Sequence, residues 1–170
     1  MIEFEFSNVM NSVIAKAIQS SIEKSVFCRL VTASKNGTPN VSPRETWLCG
    51  GDDRIWVAHI ASPNTVTNIR EYPQVCLSFI DVLAHKGYMI VGEARILEIG
   101  DEAFEKLTAY IGQKFLILSV VAISAESASP ITAPSYSLFP DTTESEIVEQ
   151  APKTYGLGRA KGITDRLYGV

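Results

Sequence analysis

Apolar residues Val9, Val13, Ile14, Ala17, Ile18 and Ile22 recur at three-and-four spacing, which predicts an amphipathic helix from a cap at Ser7 to about Lys24, laid on a core. From Val26 the period changes to that of strands. Residues 26–34 are rich in branched side chains, and Lys35-Asn36-Gly37 supplies the positive φ angles of a hairpin turn. Residues 40–48 read as the returning strand, Gly50-Gly51-Asp52-Asp53 as a second turn, and residues 54–60 as a third antiparallel strand. Ser62 followed by Pro63 marks a short helix that ends by Glu71, because Pro73 cannot continue it. Residues 75–81 and 87–97 are two more strands, and the Met89-Ile90-Val91 run in the second predicts burial on both faces. Gly100-Asp101 opens a helix with Phe104, Leu107, Thr108 and Ile111 on one face and a stop at Gly112, and residues 116–127 form a sixth strand.

Six short strands with hairpin turns and peripheral helices predict a mainly β fold, a closed antiparallel barrel rather than a parallel sheet. The 170 residues suit one domain, with a core from about residue 7 to 127 and a tail, 128–170, packed on the barrel or on a partner subunit. Within the tail, residues 129–140 hold three prolines and a short acidic helix is expected near 143–151. The last fifteen residues are Gly-rich, carry Arg159, Lys161 and Arg166, and should order only against a partner.

Charge and composition narrow the function. A net charge of -4 and a pI near 5.2 argue against a nucleic-acid partner. No signal peptide opens the chain and no apolar run is long enough for a membrane span, so a cytoplasmic location is expected. Cys28, Cys49 and Cys76 lack metal-ligand spacing and read as reduced, packed thiols; no metal is assigned.

The candidate chemistry lies on the second and third strands. Alternation puts Ser42, Arg44 and Thr46 on one face and Val41, Pro43, Glu45 and Trp47 on the other. A solvent-facing edge fits this polar face, as Pro43 does; so does a groove with a cation awaiting an anion. Ser62, with the amides of Asn64 and Thr65 in the first helical turn, has the makings of a phosphate site, although most capped helices bind only water.

Residues 26–97 resemble the FMN-binding members of the pyridoxamine 5'-phosphate oxidase-like split-barrel superfamily. The resemblance is carried by Ile55-Trp56-Val57-Ala58 leading to Ser62-Pro63-Asn64-Thr65, by Asn68-Ile69, by Pro73-Gln74-Val75-Cys76-Leu77, and by Lys86-Gly87-Tyr88 with Gly92-Glu93-Ala94. Order and spacing carry the specificity, since each piece alone is degenerate. It implies a six-stranded split barrel and a homodimer with FMN between subunits, lined by Ser42, Arg44 and Thr46. Backbone at Val57, Ala58, His59 and Ile60 would face the ring edge, and Ser62, Asn64 and Thr65 would lie near the phosphate. Asn64 departs from the pattern, which often has Lys there, so the phosphate would rest more on Arg44, Ser62 and Thr65. His59 beside a flavin could donate a proton, or be simply hydrogen-bonded; no catalytic residue is assigned. The Arg-rich C-terminal segment of true pyridoxamine phosphate oxidases is not recognisable in residues 155–170, which argues against that activity. The expected function is an FMN-dependent oxidoreductase or flavin store acting with an unidentified small molecule or electron donor. A heme-binding relative on the same barrel and a cofactor-free dimeric binding module are the alternatives.

Overall fold

Two residues, Glu45 and Thr46, decide how the chain closes. In the computed structural model, which describes residues 12–25, 27–51, 53–112, 115–154 and 156, seven strands form one antiparallel sheet. They are β1 (Cys28–Ala33), β2 (Pro39–Arg44), β3 (Trp47–Gly51), β4 (Arg54–His59), β5 (Gln74–Asp81), β6 (Lys86–Leu97) and β7 (Ser119–Thr132). The order is β2-β1-β5-β6-β7-β4-β3, so β2 and β3, neighbours in sequence, stand at opposite ends of the sheet. Laid flat, those ends would be about 29 Å apart at ordinary strand spacing. The link between Arg44 and Trp47 reaches at most about 11 Å. The sheet therefore curls until its edges meet, and the amide of Ala58 on β4 donates to the Thr46 carbonyl at that corner, 3.1 Å away.

This corrects the expected strand count. The single strand expected over residues 40–48 is divided at Glu45-Thr46 into β2 and β3, giving seven strands rather than six. The sixth expected strand also runs further, to Thr132. Beyond Ala125, whose amide donates to the Asp53 carbonyl at 2.8 Å, β7 pairs only with β6, so its other edge tolerates Pro130, which has no N–H to offer.

Inside the barrel, Leu30, Val57, Leu77, Phe79, Ile90, Val121 and Ile123 form the main core, which Ile14, Ile18 and Ile22 close from one side. Those isoleucines belong to helix α1 (Lys16–Lys24) and its approach. The expected Ser7 cap and Val9 lie outside the described residues. What anchors the segment before α1 is Asp53, held at φ +58 in the β3–β4 turn. Its carboxylate accepts from Ser12 Oγ at 2.6 Å and from the amides of Val13 and Ile14 at 3.0 and 2.7 Å. Burial alone would raise the Asp53 pKa, but those three donors outweigh it and hold the carboxyl below its usual value. Its contribution is therefore present above the ordinary carboxyl range and is lost as pH falls through the folded value. Asp53→Asn should cost about 1 kcal/mol at pH 7, discounted for partial solvation, and less in acid as the carboxyl protonates. Urea melts of both proteins at pH 7 and across the acid range check this, and a loss that does not change with pH would contradict it.

A second core lies on the outer face, where α3 (Glu102–Ile111) packs Phe104 and Leu107 on Trp56, Val120 and Ala122. It ends at Gly112, φ +72, as the sequence predicts. Helix α2 (Pro63–Glu71) follows β4, and the short α4 (Ser135–Leu138) and α5 (Glu144–Thr154) form the tail. The tail packs on its own barrel: Lys86 Nζ reaches Glu144 at 2.7 Å and lies over the Tyr136 ring, whose hydroxyl donates to the Ala84 carbonyl at 2.6 Å. Arg159, Lys161 and Arg166 lie outside the described residues. No helix among the described residues is long and apolar enough to cross a membrane.

Candidate functional site

Beside the β2–β3 corner the structure gathers several of the residues that the sequence singles out. Ser42 and Arg44 face inward, 9% and 6% exposed, while Val41 on the other face is 57% exposed, so β2 buries its polar face. An edge strand with a solvated polar face is thereby excluded.

Ser42 and Thr65 do not open toward a ligand. Thr65 Oγ1 lies 3.1 Å from Ser42 Oγ and accepts from Asn40 Nδ2 at 3.3 Å; Asn40 and Asn68 both donate to Thr32 Oγ1, at 3.2 and 3.0 Å. This buried polar set pins α2 to the β1–β2 hairpin. The two residues thus position the turn after β4 rather than line a pocket.

Ser62 occupies the cap position of α2, but its hydroxyl makes no bond to the helix. The Ser62 carbonyl instead accepts from Thr65 N at 3.1 Å and Val66 N at 3.4 Å. Two expectations are corrected here: the hydroxyl does not cap, and the Thr65 amide is already used. The cause is the Ser62 backbone, at φ -133 and ψ 68, away from the extended geometry usual for a capping side chain. Ser62→Ala should accordingly change stability by less than about 0.5 kcal/mol, where a capping hydroxyl would cost ~1. Thermal denaturation of ligand-free protein decides between the two values.

A pocket of about 230 Å³ lies at the corner, lined by Arg44, Thr46, Ala58, Ile60, Ser62 and Phe115, among others. Asn64 is exposed at the start of α2. Val57 is fully buried in the barrel core, so only its backbone is open to any site role. His59 follows Val57 on the inward face, 7% exposed; its Nδ1 lies 3.0 Å from Ser119 Oγ and its Nε2 has no partner.

Arg44 is the least compensated group in the site. Its Nε and Nη2 are buried without a hydrogen-bond partner, and none of the ion pairs among the described residues includes it. It stands opposite Cys28 in the β1–β2 register. Burial pushes the guanidinium below its usual pKa, offset in part by Cys28; burial pushes that thiol up to about 12, so it stays protonated and supplies no counter-charge. Burial and then the nearby Arg44 charge lower the His59 pKa, which leaves its imidazole neutral at pH 7.

Phe115 and Ser119 were not anticipated. Both come from the segment that leads into β7, and only the β4–β7 pairing, with His59 opposite Ser119, brings them to the site. That pairing joins distant segments and leaves no local mark. Strand β6, expected to be buried on both faces at Met89-Ile90-Val91, is flanked by β5 and β7 and buries Gly87, Ile90, Gly92, Ala94 and Leu97, while Met89 is 39% exposed, so only one face is covered within the chain. Among the exposed apolar side chains, Phe115 lines the pocket and Leu116 and Leu118 follow it in sequence.

Comparison with known proteins places this geometry. The profile described as pyridoxamine 5'-phosphate oxidase matches residues 14–145. No curated protein matches the sequence significantly. Among solved structures, HupZ of Group A Streptococcus is similar at 21% identity and a TM-score of 0.62, over 71% of this chain and 98% of that one. An FMN-binding protein of Syntrophomonas wolfei is similar at 15% identity and 0.59, over 78% and 95%. HutZ, the heme storage protein of Vibrio cholerae, is similar at 19% identity and 0.53, over 68% and 92%. Identities this low speak to the fold alone.

Proposed function

The chain belongs to the pyridoxamine 5'-phosphate oxidase family, and from that premise we propose that it binds FMN at the β2–β3 corner, as a flavin-dependent oxidoreductase acting on a small molecule. The observation that carries this reading is Arg44. A permanently charged guanidinium, 6% exposed, with two unpartnered nitrogens and no carboxylate paired with it, calls for an anion from outside the chain. A phosphate monoester meets that need, because its oxygens match the planar fork of Arg.

The other pocket residues fit the rest of such a ligand. Ala58, Ile60 and Phe115 offer an apolar wall for a flat ring, and Thr46 and Ser62 bring hydroxyls to its polar edge. When bound, the flavin supplies the electron transfer. The residues of the chain neutralise the phosphate, orient the ring and keep water from it. Asn64, with no charge to offer, leaves Arg44 as the cation that decides affinity.

A second copy completes the site in this reading. The pocket of about 230 Å³ is smaller than the roughly 300–1,000 Å³ typical of sites for ligands of this size. Phe115 of the pocket, with Leu116, 78% exposed, and Leu118 next to it in sequence, gives a partner apolar surface to cover. A two-fold dimer would then supply the missing wall.

The test is mass spectrometry of the small molecule released on denaturing the purified protein, paired with its visible spectrum. Flavin absorption near ~450 nm and the mass of FMN support the reading. A Soret band and the mass of heme would move the chain to the heme-handling side of its fold relatives. Colourless protein that fails to take up added FMN would leave a cofactor-free binding module.

A further inference from the structure

Two side chains inside the barrel mouth, each more than nine-tenths buried, have nitrogens with nothing to bond: Arg44 at Nε and Nη2, and His59 at Nε2. They come from β2 and β4, which meet at the corner where the Ala58 amide bonds the Thr46 carbonyl at 3.1 Å and where Arg44 shares a pocket with Ala58 and Ile60, the neighbours of His59 in sequence; the charge of Arg44 acts on the His59 ring. The charged groups that bear on His59 from the packed elements are Arg44 of β2, Arg70 of α2 and Glu98 just after β6; Ser119 of β7 is its polar neighbour. Arg70 and Glu98 pair with each other at 3.0 Å and largely cancel. Arg44 is left as the uncompensated charge facing the imidazole.

We propose that Arg44 and His59 form one proton-linked oxyanion site, in which a phosphate-like oxyanion seated on Arg44 also accepts a hydrogen bond from His59 Nε2 and draws a proton from solvent onto the imidazole as it binds. Both ring nitrogens are donors in the protonated state. Nδ1–H then donates to Ser119 Oγ, which lies 3.0 Å away, and Nε2–H donates to the anion. Burial and then the Arg44 charge hold the His59 pKa down; an anion offsets that charge and accepts from the ring, so anion and proton each strengthen the binding of the other. The proposal rests on an anion occupying Arg44, but not on that anion being FMN.

The chain has two histidines, His59 and His85, so the His59 ring can be followed by NMR with His85 as reference and His59→Gln as assignment. Titrations with pH are run without ligand, with inorganic phosphate and with FMN; calorimetry in two buffers of different ionisation enthalpy counts protons for wild type and His59→Gln. The expected result is a rise of about one unit in the His59 midpoint when phosphate binds, a tenfold gain in proton affinity. Wild type should also take up more protons per anion than His59→Gln, reaching about half a proton at a pH midway between the two His59 midpoints. An unmoved midpoint with anion bound overturns the proposal, as would arise if a water alone fills the space. If His59→Gln does not fold, the wild-type midpoint, assigned through His85→Gln, still decides. The two readings separate cleanly. Phosphate binding with proton uptake but no FMN binding sinks the flavin reading and keeps the site, whereas FMN binding without uptake does the reverse. If neither ligand binds, both fall.

Discussion

Arg44→Met should stabilise the ligand-free protein while weakening FMN binding ten- to hundred-fold. The two effects share one cause, a buried charge without a partner. In the ligand-free protein the guanidinium has left water without gaining an ion pair; replacing even a paired buried charge by apolar side chains is often neutral or stabilising by about 1–4 kcal/mol, and an unpaired one has less to lose. With phosphate present the same group makes charge-assisted hydrogen bonds of about 1.5–3 kcal/mol, which Met cannot replace. Denaturant melts of flavin-free protein and a fluorescence titration with FMN supply the two numbers. A loss of stability in the ligand-free variant would mean that Arg44 already has a partner in the barrel. Unchanged affinity would place the phosphate elsewhere. Added FMN should also raise the midpoint of wild type by more than it raises that of the variant, since a ligand stabilises the folded state more the tighter it binds.

Gly92→Ala should cost about 3 kcal/mol or more, against about 1 for Gly37→Ala. At Gly92 the register between β6 and β7 shifts, and an added Cβ would lie 2.1 Å from the Ser124 carbonyl oxygen and 3.1 Å from the Ala125 Cα. These are backbone atoms of β7, held on the other side by β4 at Ser124, so nothing flexible can yield. Gly37 sits in the β1–β2 turn at φ +83 with open space where a Cβ would go. There the strain is conformational alone. Urea midpoints at constant m-value measure both, and equal losses would show that the close approach at Gly92 relaxes.

What the sequence made legible was local. Asn36-Gly37 marks its hairpin because the turn needs positive φ, and Pro63, Pro73 and Gly112 bound their helices through backbone chemistry that acts within a few residues. Alternation along β2 correctly put Ser42 and Arg44 on one face, though it could not say that this face is buried. The corner at Glu45-Thr46 stayed hidden because a strand can turn sharply there without changing its polar and apolar rhythm. The Ser- and Ala-rich end of β7 is exposed and proline-bearing, so its composition resembled a loop. Ser62 had the right residue type for a cap, but capping depends on backbone angles that composition does not encode. Asp53 was read only as part of a turn, and its role as acceptor for residues 12–14 follows from the packing of distant segments. The same holds for Ser119 and Phe115 at the site.

The pairing of β4 with β7 also bears on the order in which the protein acquires its form during synthesis. Arg54 pairs with Ser124 and His59 with Ser119, so β4 leaves the ribosome well before the strand that covers its open edge. Until then the β4 edge of the β3–β4 hairpin is unpaired beside an apolar face, a combination prone to associate with other chains. Pairings between distant segments are also slow to form, because a long loop must close before any contact rewards it. Newly made chains stalled or cut before Ser119 should therefore be insoluble, and early encounters with a chaperone should centre on Trp47 to His59.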